Sequence, residues 1–242
     1  MGLTKSNIKL ITSLQQKKYR QKHQLFIGEG IKVVKELLTS KLKINRIYCT
    51  DNTFEFVQEE LVTIISESDL KKISNLKTPN KVLALFEIPK YDLPMISGFT
   101  VVLDGINDPG NLGTIIRLCD WFGVDNLICS LDTVDCYNAK VVQATMGSIT
   151  RTRIHYTDLI MFLKNTKLPK YIADMNGENI YTSDLTSEAI LVMGNEANGI
   201  SEEIRAIVEK QLTIPRFGDL KETESLNVAT ATAIFLSEFR RR

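Results

Sequence analysis

The feature that most constrains this chain is a run of largely apolar residues, FTVVLDGI at 99–106, closed by Asn107-Asp108-Pro109-Gly110 and followed at once by a helical pattern, NLGTIIRLCDWFG. A strand with one wet face alternates apolar and polar residues. This run does not alternate, so both of its faces must be covered. Strand, Pro/Gly turn and helix in that order are the unit of a parallel sheet, because parallel neighbours need a crossover and a helix supplies it. Similar apolar runs follow: DNLICS at 125–130, KYIADM at 170–175, AILVMG at 189–194 and LTIPRFG at 212–218. Helical patterns separate them, at CYNAKVVQATMGSI, EEIRAIVEK and the terminal ESLNVATATAIFLSEFRRR. The expectation is an α/β domain over 93–242, a parallel sheet with helices on both faces.

Residues 1–92 read as a second, smaller α/β unit. Leu3, Ile8, Ile11 and Leu14 give LTKSNIKLITSLQQ an amphipathic helical pattern, and GIKVVKELLTS reads as another helix. INRIYCT, VTIIS and KVLALFEI are short β-branched or aromatic runs read as strands, with a helix at ESDLKKIS. Pro89–Pro94 bound a connector between the units.

Charge divides the chain in the same way. Residues 1–46 carry eleven Lys and Arg against two Glu, a net of +9, which leaves −8 on the other 196 of the 242 residues. The densest part is KKYRQKHQLFIGEG at 17–30, where Tyr19 and Phe26 interleave with the bases. A basic end on a nearly neutral chain suggests a polyanionic partner. On charge alone that partner is RNA or DNA, with Lys17, Lys18, Arg20 and Lys22 as the candidate contacts to its phosphates and Tyr19 or Phe26 as the rings that could meet a base. The four cysteines (Cys49, Cys119, Cys129 and Cys136) form no CxxC pair, and only His23 and His155 are available. Buried reduced thiols are expected, with no metal site and no His-based triad. No apolar run nears the roughly 20 residues needed to span a bilayer, and no secretory signal opens the chain, so a cytoplasmic protein is expected.

Three segments carry candidate chemistry. In NDPGNLGTIIRLCDWFG, Asn111 and Arg117 lie less than two helical turns apart just beyond a strand end, where ligands of open α/β sheets bind. The segment lacks GxGxxG spacing, which argues against a dinucleotide-dependent oxidoreductase. In LVMGNEANGIS, Gly194 permits close backbone approach and Ser201 is placed to cap a helix. In IPRFGDLKETESLNVA, Ser225 and Asn227 precede a helix rich in small residues, with Ser225 as the expected N-cap.

Taken in this order, Asn111-x-Gly113-x-x-x-Arg117, Gly194-x-Glu196-x-x-Gly199, and Ile214-Pro215 with Ser225-Leu226-Asn227-Val228-Ala229 resemble the three motifs of the SpoU/TrmH branch of SPOUT RNA methyltransferases. The resemblance covers about residues 98–242, and extends more loosely to an L30e-like RNA-binding domain over residues 7–90. It implies a deep trefoil knot, a homodimer, and transfer of methyl from S-adenosylmethionine to a ribose 2′-hydroxyl of ribosomal RNA. A tRNA target, or a non-catalytic RNA-binding protein on the same fold, is the alternative. Met193, Gly194, Ile214, Pro215 and Leu226 would hold the cofactor. Arg117 would either remove the hydroxyl proton or act as a fixed cation, and Asn111 would orient it or the ribose. Ser225 and Asn227 would hold the nucleotide and loop, and Glu196 would shape the cofactor loop or bond Asn111. Two departures mark this chain: Arg216 stands where the family commonly has Met, and the stretch Asp219–Glu224 is longer than usual.

Overall fold

A computed structural model describes residues 2–90, 96–208, 210–218 and 225–241. Contacts divide the chain into two units, one of residues 1–90 with 135–150 and one of 91–134 with 151–242. The sequence alone suggests a single boundary near residue 92. The contacts also return Asp135–Thr150 to the first unit.

The first unit runs α1 (Lys5–Ser13), α2 (Lys17–His23), β1 (Leu25–Glu29), α3 (Ile31–Leu38), β2 (Ile44–Cys49), β3 (Val62–Ile64), α4 (Glu67–Ile73) and β4 (Val82–Glu87). Its sheet has the order β1-β4-β2-β3, antiparallel except for the β2–β3 pair. The basic cluster at 17–30 is therefore not one surface segment. Its first part is α2 and its second is β1, a strand buried along its whole length. Phe26 is fully buried between Phe86 and Tyr137, with ring centroids 5.7 and 4.8 Å away, and cannot stack on a base.

Arg20 is corrected as well. It is 2% exposed, and its guanidinium is consumed within the unit. Nε and Nη2 donate to Asp135 Oδ2 at 2.8 and 2.6 Å, and Nη1 donates to the carbonyls of Leu14 and Gln15 at 2.8 and 2.9 Å. A buried guanidinium needs all of these acceptors, and none is left to give up to a phosphate. Lys17, Lys18 and Lys22 remain exposed on α2, with the Lys18 ammonium 4.9 Å from the centre of the Tyr19 ring.

The second unit continues with β5 (Thr100–Asp104), α5 (Pro109–Trp121) and β6 (Asn126–Cys129). The chain then passes through α6 (Ala139–Thr145), which belongs to the first unit, before β7 (Ile154–Tyr156), α7 (Leu159–Asn165), β8 (Lys170–Asn179), β9 (Ile190–Gly194), α8 (Glu202–Arg205), β10 (Lys210–Thr213) and α9 (Val228–Arg241). The sheet order is β10-β8-β9-β5-β6-β7 and every pair is parallel, as the apolar runs require. Val102, Ile172 and Val192 of the sheet share one core with Leu159, Phe162 and Leu163 of α7 and Ile204 of α8. Successive strand residues face opposite ways, so Phe99 and Tyr171 point to the other face. There they meet Phe239 of α9 at ring-centroid distances of 4.8 and 5.5 Å. All four cysteines are buried and none is in a disulfide, and burial pushes the Cys119 thiol far up. Among the described residues, no helix is long and apolar enough to cross a membrane.

Candidate active site

The strand order reverses between β5 and β9. From β5 the chain builds β6 and β7 on one side, then crosses to β8 and returns with β9 against β5. A crevice at such a reversal, beyond the carboxyl ends of the strands, is where open α/β sheets bind ligands. Asp104 and Gly194, the last residues of β5 and β9, are register partners there.

Each of the three segments enters this edge by a local device. Asp108 caps α5 by accepting the Asn111 amide at 2.8 Å, and Pro109 sits at the first helical position, where its missing N–H costs nothing. After β9 the chain folds back on itself. Asn195 and Gly199 exchange backbone hydrogen bonds of 2.9 Å in both directions, and the Asn195 carboxamide accepts the amides of Ala197 and Asn198 at 2.9 and 3.0 Å. The other end of that carboxamide donates to the Gly105 carbonyl at 2.6 Å, tying the loop to the end of β5. Gly194 is required by this fold-back, since a Cβ there would lie 2.6 Å from both the Gly199 carbonyl oxygen and the Ile200 nitrogen. Asp104 accepts the Ser201 amide at 2.8 Å and so fixes where α8 starts. Ser201 occupies the cap position of α8, but its side chain makes no capping bond.

The third segment also differs from expectation. The cap of α9 is Asn227, not Ser225: Asn227 Oδ1 accepts the amides of Ala229 and Thr230 at 2.9 and 3.2 Å. Asn227 Nδ2 is then free to donate to Asn111 Oδ1 at 2.9 Å, and Asn111 Nδ2 donates to Glu196 Oε1 at 2.7 Å. A carboxylate only accepts and backbone N–H groups only donate, so the two fixed ends set both amide orientations. One residue from each segment thus joins a directional chain, Asn227 to Asn111 to Glu196. Arg117 lies on α5 two turns beyond the cap, exposed and without a hydrogen bond or ion pair among the described residues. Ser225 is exposed and Leu226 is 48% exposed. Ile214 and Pro215 are half-buried just past β10, and Met193 is 2% exposed in β9. The longer stretch Asp219–Glu224 lies outside the described residues. Asn195 and Asp104, which hold the loop, escape a motif reading. The Asn-Glu-Ala-Asn-Gly turn chemistry was the available signal for Asn195.

Residues 98–237 match the model of the SpoU rRNA Methylase family. The chain belongs to that family. Residues 5–84 match a second model, the MRM3-like substrate binding domain. This SpoU-family chain is 28% identical over 245 residues to the 23S rRNA (guanosine(2553)-2′-O)-methyltransferase RlmP of Bacillus subtilis, covering 94% of this chain and 93% of that protein. Among solved structures it is similar to a TrmH-family protein from Porphyromonas gingivalis (38% identity, TM-score 0.89, covering 99% of this chain and 98% of that one). It is also similar to the AdoMet-bound rRNA methyltransferase from Sinorhizobium meliloti (31% identity, TM-score 0.86, covering 100% and 97%).

Proposed function

We propose that this SpoU-family chain methylates a ribose 2′-hydroxyl of ribosomal RNA, with S-adenosylmethionine as donor. The observation that carries this reading is the Asn227–Asn111–Glu196 chain, which brings all three segments to one edge of the sheet while Arg117 stays exposed on the same helix as Asn111. The names of the relatives support ribosomal RNA over tRNA.

The residues present fit the donor. Half-buried Ile214 and Pro215 and exposed Leu226 offer apolar surface for an adenine ring, and Gly194 keeps the loop backbone close. The bound donor supplies an electrophilic methyl on a sulfonium. With the donor bound, its methyl would pass in line to the ribose 2′-oxygen, the O–CH3 bond forming as S–CH3 breaks, and the hydroxyl proton would pass to solvent water. Arg117 presents a planar guanidinium with five N–H donors and no acceptor. Its role is that of a fixed cation that holds the neighbouring phosphate and stabilises negative charge growing on the oxygen. Asn111, held at both ends of its amide, positions that helix turn. Ser225, exposed beside Asn227, holds the nucleotide.

Division of labour follows the two family matches: residues 1–92 dock RNA through Lys17, Lys18 and Lys22, and residues 93–242 carry the chemistry. The resemblance supports a trefoil knot in the second unit and a cytoplasmic homodimer. The dimer reading has a mark on the surface. Gly110, Thr114, Arg117 and Trp121 form an exposed stripe on α5, and Trp121 is 84% exposed. The test is labelled-methyl transfer to deproteinised ribosomal RNA by the wild type and Arg117→Ala, with nucleoside mass spectrometry of the product. A 2′-O-methylnucleoside formed by the wild type alone supports the reading. A base-methylated product, or none, overturns it.

A further inference from the structure

Within β10, the strand pairing breaks in a way that builds a second surface. Gln211 pairs with Ile172, but the next residue, Leu212, pairs with Glu178, so residues 173–177 of β8 form a bulge with no register partner on β10. The bulge is pinned. Asp174 makes an ion pair with Arg205 at 2.5 Å and accepts the Asn176 amide at 2.9 Å. Gly177 lies so close to β10 that a Cβ would come within 2.5 Å of its backbone. Thr213 Oγ1 donates to the Met175 carbonyl at 3.2 Å. Met175 is thereby held outward, 47% exposed, with its sulfur 3.6 Å from Arg216 Nη2. The next residue, Phe217, is 82% exposed and lies against Tyr181 at 6.5 Å between ring centroids and 29° between planes. A cation, a soft thioether and two near-parallel rings thus stand together in the open, directly after Ile214-Pro215 in sequence.

We propose that Arg216, Phe217 and Tyr181, backed by Met175, form a stacking platform for an unpaired nucleobase of the RNA substrate. The inference rests on the RNA reading above and adds to it the residues that engage a base. The argument is chemical. Specific proteins take RNA bases that have left the helix and stack them on aromatic rings and guanidinium planes. Such stacking is tolerant of base identity, and a cation beside the ring adds attraction to the neighbouring phosphate. At 82% exposure the Phe217 ring is accessible to a base, and it stands beside Tyr181 and Arg216 rather than alone. The adjoining arginine favours an anionic polymer over a second apolar protein face. The residue that departs from the family pattern, Arg216, is the one that supplies that charge.

The test uses the full-length protein and deproteinised large-subunit ribosomal RNA. Wild type, Phe217→Ala, Phe217→Trp and Arg216→Ala are compared in RNA binding, in methyl-transfer kinetics, in S-adenosylmethionine affinity and in sedimentation. Removing one stacked base weakens RNA binding about tenfold. The expected result is therefore a rise of that size in Kd and KM for RNA with Phe217→Ala, recovery with Phe217→Trp, and unchanged donor affinity and sedimentation. Wild-type RNA affinity in Phe217→Ala overturns the platform, as does a change in donor affinity or in oligomeric state of equal size. If the wild type binds the RNA and Phe217→Ala does not, but neither transfers methyl, the catalytic reading fails while the platform stands.

Discussion

Asn227 and Asn111 lie 116 residues apart in sequence and 2.9 Å apart in space, with the Asn227 carboxamide nitrogen donating to the Asn111 carboxamide oxygen. The same Asn227 side chain caps α9, so one residue sets where the last helix begins and also orients the first motif. The two jobs separate on substitution. Asn227→Asp keeps an N-cap of equal quality but turns a donor into an acceptor facing Asn111 Oδ1. It is expected to unfold near the wild-type midpoint and lose about a hundredfold in methyl transfer, the scale of a misplacement of roughly 1 Å. Asn227→Ala should lose the same activity and about 1 kcal/mol of stability as well. Equal activity of Asn227→Asp and wild type would show that the amide chain is incidental. Urea unfolding and initial-rate assays decide it.

Gly194 tests the cofactor loop. A methyl group there meets the Gly199 carbonyl oxygen and the Ile200 nitrogen, each at 2.6 Å. Backbone cannot rotate away as a long side chain can, so the loop must move. Gly194→Ala should weaken S-adenosylmethionine binding at least about tenfold by calorimetry and cost about 1–3 kcal/mol of stability, the range for overpacking. Unchanged donor affinity would place the cofactor away from this loop.

The basic α2 divides into a structural residue and a surface. Arg20→Ala strips the Asp135 carboxylate of its countercharge, leaving it only the Tyr137 amide among the described residues, and removes the donor from the carbonyls of Leu14 and Gln15. Breaking a buried pair costs about 3 kcal/mol or more, so the thermal midpoint of this variant should fall sharply. Lys17, Lys18 and Lys22 changed together to Glu should leave the midpoint nearly unmoved. RNA affinity should drop, and the slope of log K against log salt should flatten by about 0.9 for each phosphate that is no longer neutralised. A triple variant that binds RNA normally would remove this helix from the interface.

The sequence shows its elements unevenly, and the reasons are physical. β5, β6 and β9 are legible because strands covered on both faces carry unbroken apolar runs. β1 is hidden because its Leu25-Phe26-Ile27 core follows directly on α2, with only Gln24 at a φ of +53° to mark the break. β7 has three residues and a central histidine, too short for any period to register. α7 lacks a polar face strong enough to signal it, being apolar at Leu159, Ile160, Met161, Phe162 and Leu163. Asn111, Glu196 and Asn227 stand out in the sequence through their segments, but their mutual bonds depend on long-range topology that no local pattern encodes. Arg20 misleads for the converse reason, since a lysine-rich helix does not announce which of its bases points inward.

Trp121 bears on assembly. It is 84% exposed at the end of the helix that carries Arg117. Aromatic residues are enriched at protein interfaces relative to the rest of the surface. The wild type is expected to sediment at twice the 27.4 kDa chain mass, and Trp121→Glu to shift the equilibrium toward the monomer with loss of methyl transfer. A monomeric wild type with full activity would rule out a shared active site.

His155 gives the fold a pH dependence. It sits on β7, 8% exposed, and its Nε2 has no hydrogen-bond partner among the described residues. Burial, and then the nearby Arg153 charge, hold its pKa below the ordinary 6.5. In the unfolded chain the same imidazole takes up its proton near pH 6.5. Between the two values the unfolded state binds more protons, so stability is fully present above pH 6.5 and declines as pH falls through the window beneath it. His155→Gln cannot take up that proton. The urea midpoint of the wild type should therefore fall more between pH 7.5 and 5.5 than that of His155→Gln, whatever offset the substitution itself introduces. Parallel pH profiles for the two proteins would mean that His155 is protonated as readily in the folded state as in the unfolded one, and that β7 admits enough water to solvate it.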